Sequence, residues 1–128
     1  MLKIICALLF VLAGCSTFVN AKSIFGGETV VVTAYSPSIG QCDSTPFITA
    51  SNTRVRKGIV ALSRDLEKRY GLKFGDEIRL RGLGVYEFAD RMHKRWRNKV
   101  DVFMWEKGKA VKFGKKTAIF HAVKRNQG

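Results

Sequence analysis

The stretch that decides the fold runs Gly84-Val85-Tyr86-Glu87-Phe88-Ala89-Asp90 and resumes, after a basic loop, at Val100-Asp101-Val102-Phe103-Met104. Both runs are rich in β-branched and aromatic residues, a composition typical of strands. Asp90 ends the first run, and Asp101 lies at the start of the second. A hairpin-like return of the chain brings these two carboxylates together beneath a cationic and aromatic rim. We therefore predict an acid/base site at Asp90 and Asp101 that acts on a polar polymer.

The remaining sequence predicts four more strands and two short helices. The strand segments are residues 28–35, 59–62, 77–81 and 117–123, and the helices are residues 64–70 and 105–113. Ser63 is a candidate N-cap of the first helix, and Gly71 and Gly114 are candidate helix ends. Residues 22–28, with Gly26-Gly27, are typical of a tether, and residues 124–128 form a basic tail. This pattern predicts one mainly β domain: a small, mostly antiparallel six-stranded barrel with two short helices.

Residues 1–21 predict export. Met1-Leu2-Lys3 is a short basic region, and the apolar run that follows is too short to span a bilayer as a mature helix. Leu12-Ala13-Gly14-Cys15 has the form of a bacterial lipobox, which would leave Cys15 as a lipidated N-terminus. Val19-Asn20-Ala21 offers an ordinary signal-peptidase site instead. We therefore expect a protein on the periplasmic side of the cell envelope, anchored in the outer membrane through Cys15, or else secreted.

The charge of the chain is strongly positive. The formal net charge is +13, and 22 basic against 10 acidic residues remain, a net +12, once Lys3 leaves with the signal. Such a field favours anionic partners, which for an exported protein are envelope polymers rather than nucleic acid. Cys42 alone cannot form a disulfide framework when Cys6 is removed and Cys15 is acylated. Two distant histidines and scattered carboxylates do not compose a metal site, so we predict no bound metal or cofactor. We also expect the protein to be a monomer.

Seven short motifs, taken in order, resemble the 3D (triple-aspartate) domain. They are Thr33-Ala34-Tyr35, Thr49-Ala50-Ser51, Ile59-Val60-Ala61-Leu62-Ser63, Gly71-Leu72-Lys73-Phe74-Gly75-Asp76, Val85-Tyr86-Glu87-Phe88-Ala89-Asp90, Val100-Asp101-Val102-Phe103 and Phe113-Gly114. The resemblance covers residues 29–123. It implies a six-stranded double-psi β-barrel, shared with the catalytic region of the membrane-bound lytic transglycosylase A family. More distantly, the motifs resemble rare-lipoprotein-A proteins and expansins.

The resemblance implies roles for individual residues. Asp101 matches the aspartate that is the lone general acid/base in the transglycosylases, and Asp90 matches the aspartate that supports it. Ser63 stands at the position of the first family aspartate, with Asp65 two residues further on. The basic segment 91–99 replaces the glycine-rich loop of the family.

Four residues are candidates for binding substrate. Tyr35 ends the first strand beside a polar loop, and Thr49 belongs to one of the motifs that carry the resemblance. His93 and Trp96 lie in the basic loop, where a ring can orient or stack on a sugar.

Two functions fit these observations. The leading hypothesis is an exported enzyme of lytic transglycosylase type that cleaves peptidoglycan glycan strands, with the C6 hydroxyl of muramic acid as internal nucleophile. Asp101 must then have a pKa above about 3.9, which apolar neighbours and Asp90 favour and the surrounding cations oppose. The alternative is a non-catalytic module that binds the cell wall or another polyanion. In that case the two aspartates order a loop by accepting backbone N–H groups.

Overall fold

The computed structural model of the chain describes residues 22–37 and 47–125. The predicted signal segment with Cys15, the residue Cys42 and the last three residues lie outside the described residues. The described chain is mainly β and forms a closed six-stranded barrel with two short helices, which confirms the predicted fold class.

The eight elements follow one another along the chain as two similar series. The strands are β1 Lys22–Tyr35, β2 Ile59–Leu62, β3 Glu77–Leu80, β4 Gly84–Arg91, β5 Lys99–Phe103 and β6 Lys116–Arg125, and the helices are α1 Arg64–Arg69 and α2 Lys107–Phe113. Helix α1 follows β2, and helix α2 follows β5. Each half of the chain therefore has the order strand, strand, helix, strand.

Strand order around the barrel is β1-β5-β2-β4-β3-β6. The β1/β5 and β2/β4 pairs are parallel, and the other four pairs are antiparallel. Exchanging β1, β2 and β3 with β4, β5 and β6 returns the same cyclic order and also exchanges the two parallel pairs. The barrel thus has internal two-fold pseudosymmetry, centred on the β2/β5 pair, and each of its six pairings joins one half of the chain to the other.

Alternation along the strands divides the apolar residues into two clusters. The barrel interior holds the larger cluster, to which β2 contributes Val60 and Leu62 and β5 contributes Val100 and Val102. A smaller cluster lies on the outer face of the barrel and contains the four buried residues Val55, Ile59, Ala89 and Phe103, packed against Tyr35. The intervening positions of β2 and β5 therefore face outward, beside this second cluster.

Strand β1 begins at Lys22, in the segment that the sequence assigned to a tether. Residues from Lys22 to Gly26 pair with the end of β6, and the register shifts between Gly26 and Glu28. Gly26 and Gly27 have φ values of +113° and +102°, a conformation that glycine adopts readily. The two glycines therefore form a β-bulge within a long strand, and β6 correspondingly runs on to Arg125.

Ser63 occupies the N-cap position of α1, as predicted, but its side chain makes no capping hydrogen bond. The buried hydroxyl instead accepts the backbone N–H of Lys99 at 3.0 Å. Ser63 thus joins the end of β2 to the start of β5. Within residues 22–37 and 47–125, neither helix is long and apolar enough to cross a membrane.

Candidate active site

A row of four residues crosses four adjacent strands on the outer face of the barrel. Thr33 of β1 pairs with Asp101 of β5, Asp101 pairs with Ala61 of β2, and Ala61 pairs with Asp90 of β4. Neighbouring strands lie about 4.8 Å apart, so the Cα atoms of Asp90 and Asp101 are separated by roughly 10 Å. The methyl group of Ala61 is the only side chain of the row between them.

Asp101 has the surroundings expected of a proton donor. Its Oδ1 accepts the hydroxyl of Thr33 at 2.9 Å, and no other described residue donates a hydrogen bond to its carboxyl group. Burial raises the pKa of Asp101 above its ordinary value, and the negative charge of Asp90 adds to the rise. The Thr33 hydrogen bond and the positive charge of Lys99 lower the pKa without cancelling this effect.

Asp90 is held by several donors. Its Oδ1 accepts the backbone N–H groups of Ala50 and Arg91, each at 2.9 Å. Its Oδ2 accepts the hydroxyl of Tyr35 at 3.1 Å. Asp90 therefore ties the segment after β1 to β4, as the loop-ordering alternative requires of an aspartate. Asp90 also contributes to the raised pKa of Asp101, as the catalytic hypothesis requires.

Thr49 and Tyr35 lie close to Asp90, but in different roles. Thr49 is buried, and its hydroxyl is engaged with the hydroxyls of Ser51 and Thr53 at 2.7 and 3.0 Å. It shapes the segment that places the N–H of Ala50 on Asp90. Tyr35 is partly exposed, and its ring packs edge-on against Phe103 with the centroids 5.5 Å apart. Of the two predicted substrate contacts, Tyr35 is thus the one in direct contact with an acidic residue of the row.

His93 and Trp96 are exposed in the loop between β4 and β5. The ring of His93 accepts the backbone N–H of Arg95 through Nδ1 at 3.2 Å, which stabilises a turn. The ring of Trp96 lies under the ammonium group of Lys99, with Nζ 3.7 Å from its centroid. Lys99 lies two residues before Asp101 on the same outward face of β5. Its ammonium group is therefore the link between Trp96 and the row that contains Asp101.

The same loop is anchored at its far end by Asp65 of α1. The backbone N–H of Asn98, which has a φ of 53°, donates to Oδ2 of Asp65 at 2.9 Å. Burial alone would raise the pKa of Asp65, but hydrogen bonds, chiefly from the Ser63 hydroxyl and the N–H of Asn98, hold it below its ordinary value. Asp65 is therefore a charged anchor for the loop.

Sequence reasoning included Lys99 in the cationic rim but did not identify Thr33 and Ala61 as part of the site. Thr33 has the same alternation along β1 as Tyr35, which predicts a common face. Ala61 is the one small side chain among the four residues of β2, a signal that space is needed beside it. Neither signal indicates which strand lies opposite, so the row becomes evident only from the strand pairing.

Comparisons with known proteins do not test the resemblance to the 3D domain. The chain matches no protein-family model and no curated protein sequence, so the 3D-domain resemblance stays a prediction. In the described part of the chain, no cluster of three or more histidine, cysteine, aspartate or glutamate residues could hold a metal ion.

Proposed function

We propose that this protein is an exported enzyme of lytic transglycosylase type that cleaves the glycan strands of peptidoglycan. The observation that carries the proposal is that Asp90 and Asp101 lie in the same row of residues across the barrel strands. Burial raises the pKa of Asp101, one of these two carboxyl groups. A general acid with an ordinary aspartate pKa is almost entirely ionised at neutral pH, so the raised pKa favours catalysis. The motif resemblance and the N-terminal signal support the envelope as the place of action.

One carboxyl group carries both steps of the proposed reaction. Protonated Asp101 donates its proton to the glycosidic oxygen while the bond from that oxygen to C1 of muramic acid breaks. The C6 hydroxyl of the same sugar then forms a bond to C1, and its proton passes to the Asp101 carboxylate. The product is a 1,6-anhydro sugar, no water is consumed, and the enzyme returns to its starting protonation state.

The neighbours of Asp101 have distinct parts in this proposal. Asp90 raises the pKa of Asp101 and stabilises the positive charge that develops on the sugar ring in the transition state. Thr33 fixes one oxygen of Asp101, which leaves the other for the substrate. Ala61, which is buried, places only a methyl group between the two carboxyl groups.

The test is the release of 1,6-anhydromuropeptides from purified sacculi, followed by mass spectrometry. We expect the wild-type protein to release them and Asp101→Asn to lose about 10²–10⁴-fold in rate, the usual contribution of a general acid. Glu106→Gln is the matched control, because it also neutralises one carboxylate but lies exposed at the start of α2. It should keep wild-type activity.

Two results would overturn the proposal: no anhydro product from the wild-type protein, or an Asp101→Asn variant as active as the wild type. Salt-sensitive binding to sacculi without any cleavage would leave the alternative function, a polyanion-binding module.

A further inference from the structure

A basic cavity lies between helix α1 and the loop that joins β4 to β5. Its volume is about 700 Å³, within the range of small-molecule sites. It is lined by Arg64, Asp65, Lys68, Arg69, Lys94, Trp96 and Arg97. Five of these seven residues are cationic, so the cavity differs in character from the carboxylate row on the outer face of the barrel.

Four of the cavity's five cations lack an acidic partner. Arg69 is paired with Glu28 at 2.6 Å and approaches Asp65 at 3.5 Å. By contrast, no ion pair with a carboxylate of the described residues is formed by the other four, which are Arg64, Lys68, Lys94 and Arg97. Uncompensated like charges around one cavity create a positive potential there, which attracts an anionic group.

The loop side of the cavity is held in place rather than loosely attached. The guanidinium of Arg64 donates through Nε to the carbonyl oxygen of Met92 at 3.3 Å. At the other end of the loop, the carboxylate of Asp65 accepts the N–H of Asn98. Both contacts come from α1, so the two ends of the loop backbone are tied to the helix beside the cavity.

Trp96 adds an aromatic surface to this charged cavity. Its side chain is 37% exposed, and the cations of Lys99 and Arg95 lie 3.7 and 4.9 Å from the ring centroid. The exposed part of the indole, beside these two cations, offers apolar surface and an N–H donor to a ring-shaped ligand. A simple inorganic anion would use only the cations, and a neutral sugar would use only the indole.

We propose that this cavity is a binding site for an anionic sugar, separate from the carboxylate row. The carboxylate or phosphate of the sugar lies against Lys68, Lys94 and Arg97, and its ring lies against Trp96. The acid is either a lactyl carboxylate, as in muramic acid, or a sugar phosphate, as in other envelope polymers. Both present the same oxyanion chemistry.

Titration by calorimetry and by NMR tests the proposal, with Asp101→Asn protein so that no bond is cleaved. The probes are N-acetylmuramic acid, N-acetylglucosamine 6-phosphate, neutral N-acetylglucosamine and inorganic phosphate. We expect at least one anionic sugar to bind at least tenfold more tightly than the neutral sugar and than phosphate. The tighter of the two anionic sugars identifies the source of the acid.

Two sets of variants assign the binding to the cavity. Lys94→Ala combined with Arg97→Ala should weaken binding of the anionic sugar at least tenfold. Lys107→Ala combined with Lys112→Ala removes the same charge from exposed positions of α2 and should change binding less than twofold. Trp96→Ala should weaken binding of the sugar, and Trp96→Phe should restore part of it.

Equal binding of neutral and anionic sugars would overturn the proposal, as would equal losses in the two double variants, since these would indicate net charge alone. Phosphate that binds as tightly as the anionic sugars would overturn the sugar assignment. Because binding is measured without cleavage, absence of transglycosylase activity would leave these results unaffected.

Discussion

At the scale of single residues, Asp101 is the side chain whose ionised form is least compatible with its place in the fold. A carboxylate on the outer face of a barrel can be fully solvated, yet this one is partly buried and receives a hydrogen bond only from Thr33 among the described residues. The pKa of Asp101 rises because burial penalises the charged form. Such a residue costs stability when it is ionised, and a costly group in a well-formed strand is a mark of function.

Asp101→Asn should therefore stabilise the protein at neutral pH. The folded pKa of Asp101 exceeds the unfolded value, so its stabilising contribution is complete below the unfolded pKa and is lost as the pH rises through the folded pKa. Each unit between the two pKa values costs about 1.4 kcal/mol at pH 7. Asparagine avoids this cost and keeps an oxygen that accepts the Thr33 hydroxyl.

Urea unfolding at pH 7 and at pH 3 measures this effect. The free energy of unfolding of Asp101→Asn should exceed that of the wild type at pH 7, and the difference should disappear at pH 3. Glu106→Gln should show neither change. A less stable Asp101→Asn variant at pH 7 would contradict a raised pKa.

At the scale of strands and helices, local composition predicts position well and pairing poorly. The buried run Ile59–Leu62 is a strand as predicted, because four consecutive apolar residues of this kind suit a strand covered on both sides. The hydrogen bond from Thr33 to Asp101 joins residues 68 positions apart. No local pattern encodes that parallel pairing, so two aspartates could be predicted and their threonine could not.

The start of β1 illustrates how a correct local property can suggest the wrong element. Gly26 and Gly27 are flexible, as in a tether, but here their positive φ values let a long strand shift register against β6. A Cβ at Gly26 would lie 2.5 Å from the carbonyl oxygen of Phe120. The requirement for glycine at position 26 therefore comes from the close approach of the β1 and β6 backbones rather than from flexibility.

Two glycine-to-alanine exchanges should consequently have opposite effects on stability. Gly26→Ala should lower the free energy of unfolding by about 1–3 kcal/mol, because of the strained φ and the clash with Phe120. Gly108→Ala lies in α2 with no atom within 4 Å of the added methyl group, and it should raise stability by up to about 1 kcal/mol. Thermal unfolding of both variants provides the comparison, and a neutral Gly26→Ala would argue against the bulge.

At the scale of the whole molecule, the six pairings of the barrel all join one half of the chain to the other. Neither β1, β2 and β3 nor β4, β5 and β6 contain two strands that pair with each other. An isolated strand cannot satisfy its backbone groups or bury its apolar face. The two pseudosymmetric halves are thus similar in layout but have no independent stability.

Residues 22–83 and 84–125, produced separately, should each be unfolded and should form the barrel when mixed. Far-UV circular dichroism of each piece and of an equimolar mixture measures this, with the intact chain as reference. The mixture should recover the strand signal of the intact chain. A cooperative melting transition in either piece alone would contradict the pairing scheme.

The interleaved pairing also has a consequence for synthesis on the ribosome. At roughly 5–20 residues per second, the stretch of about 40 residues from Gly84 to Arg125 takes roughly 2–8 s to translate. During that interval the first three strands lack the neighbours with which they pair in the barrel. Unpaired edges of this kind are the condition under which nascent chains aggregate or bind chaperones. For a chain that is exported, as proposed, the barrel can form only after β6 has also crossed the membrane.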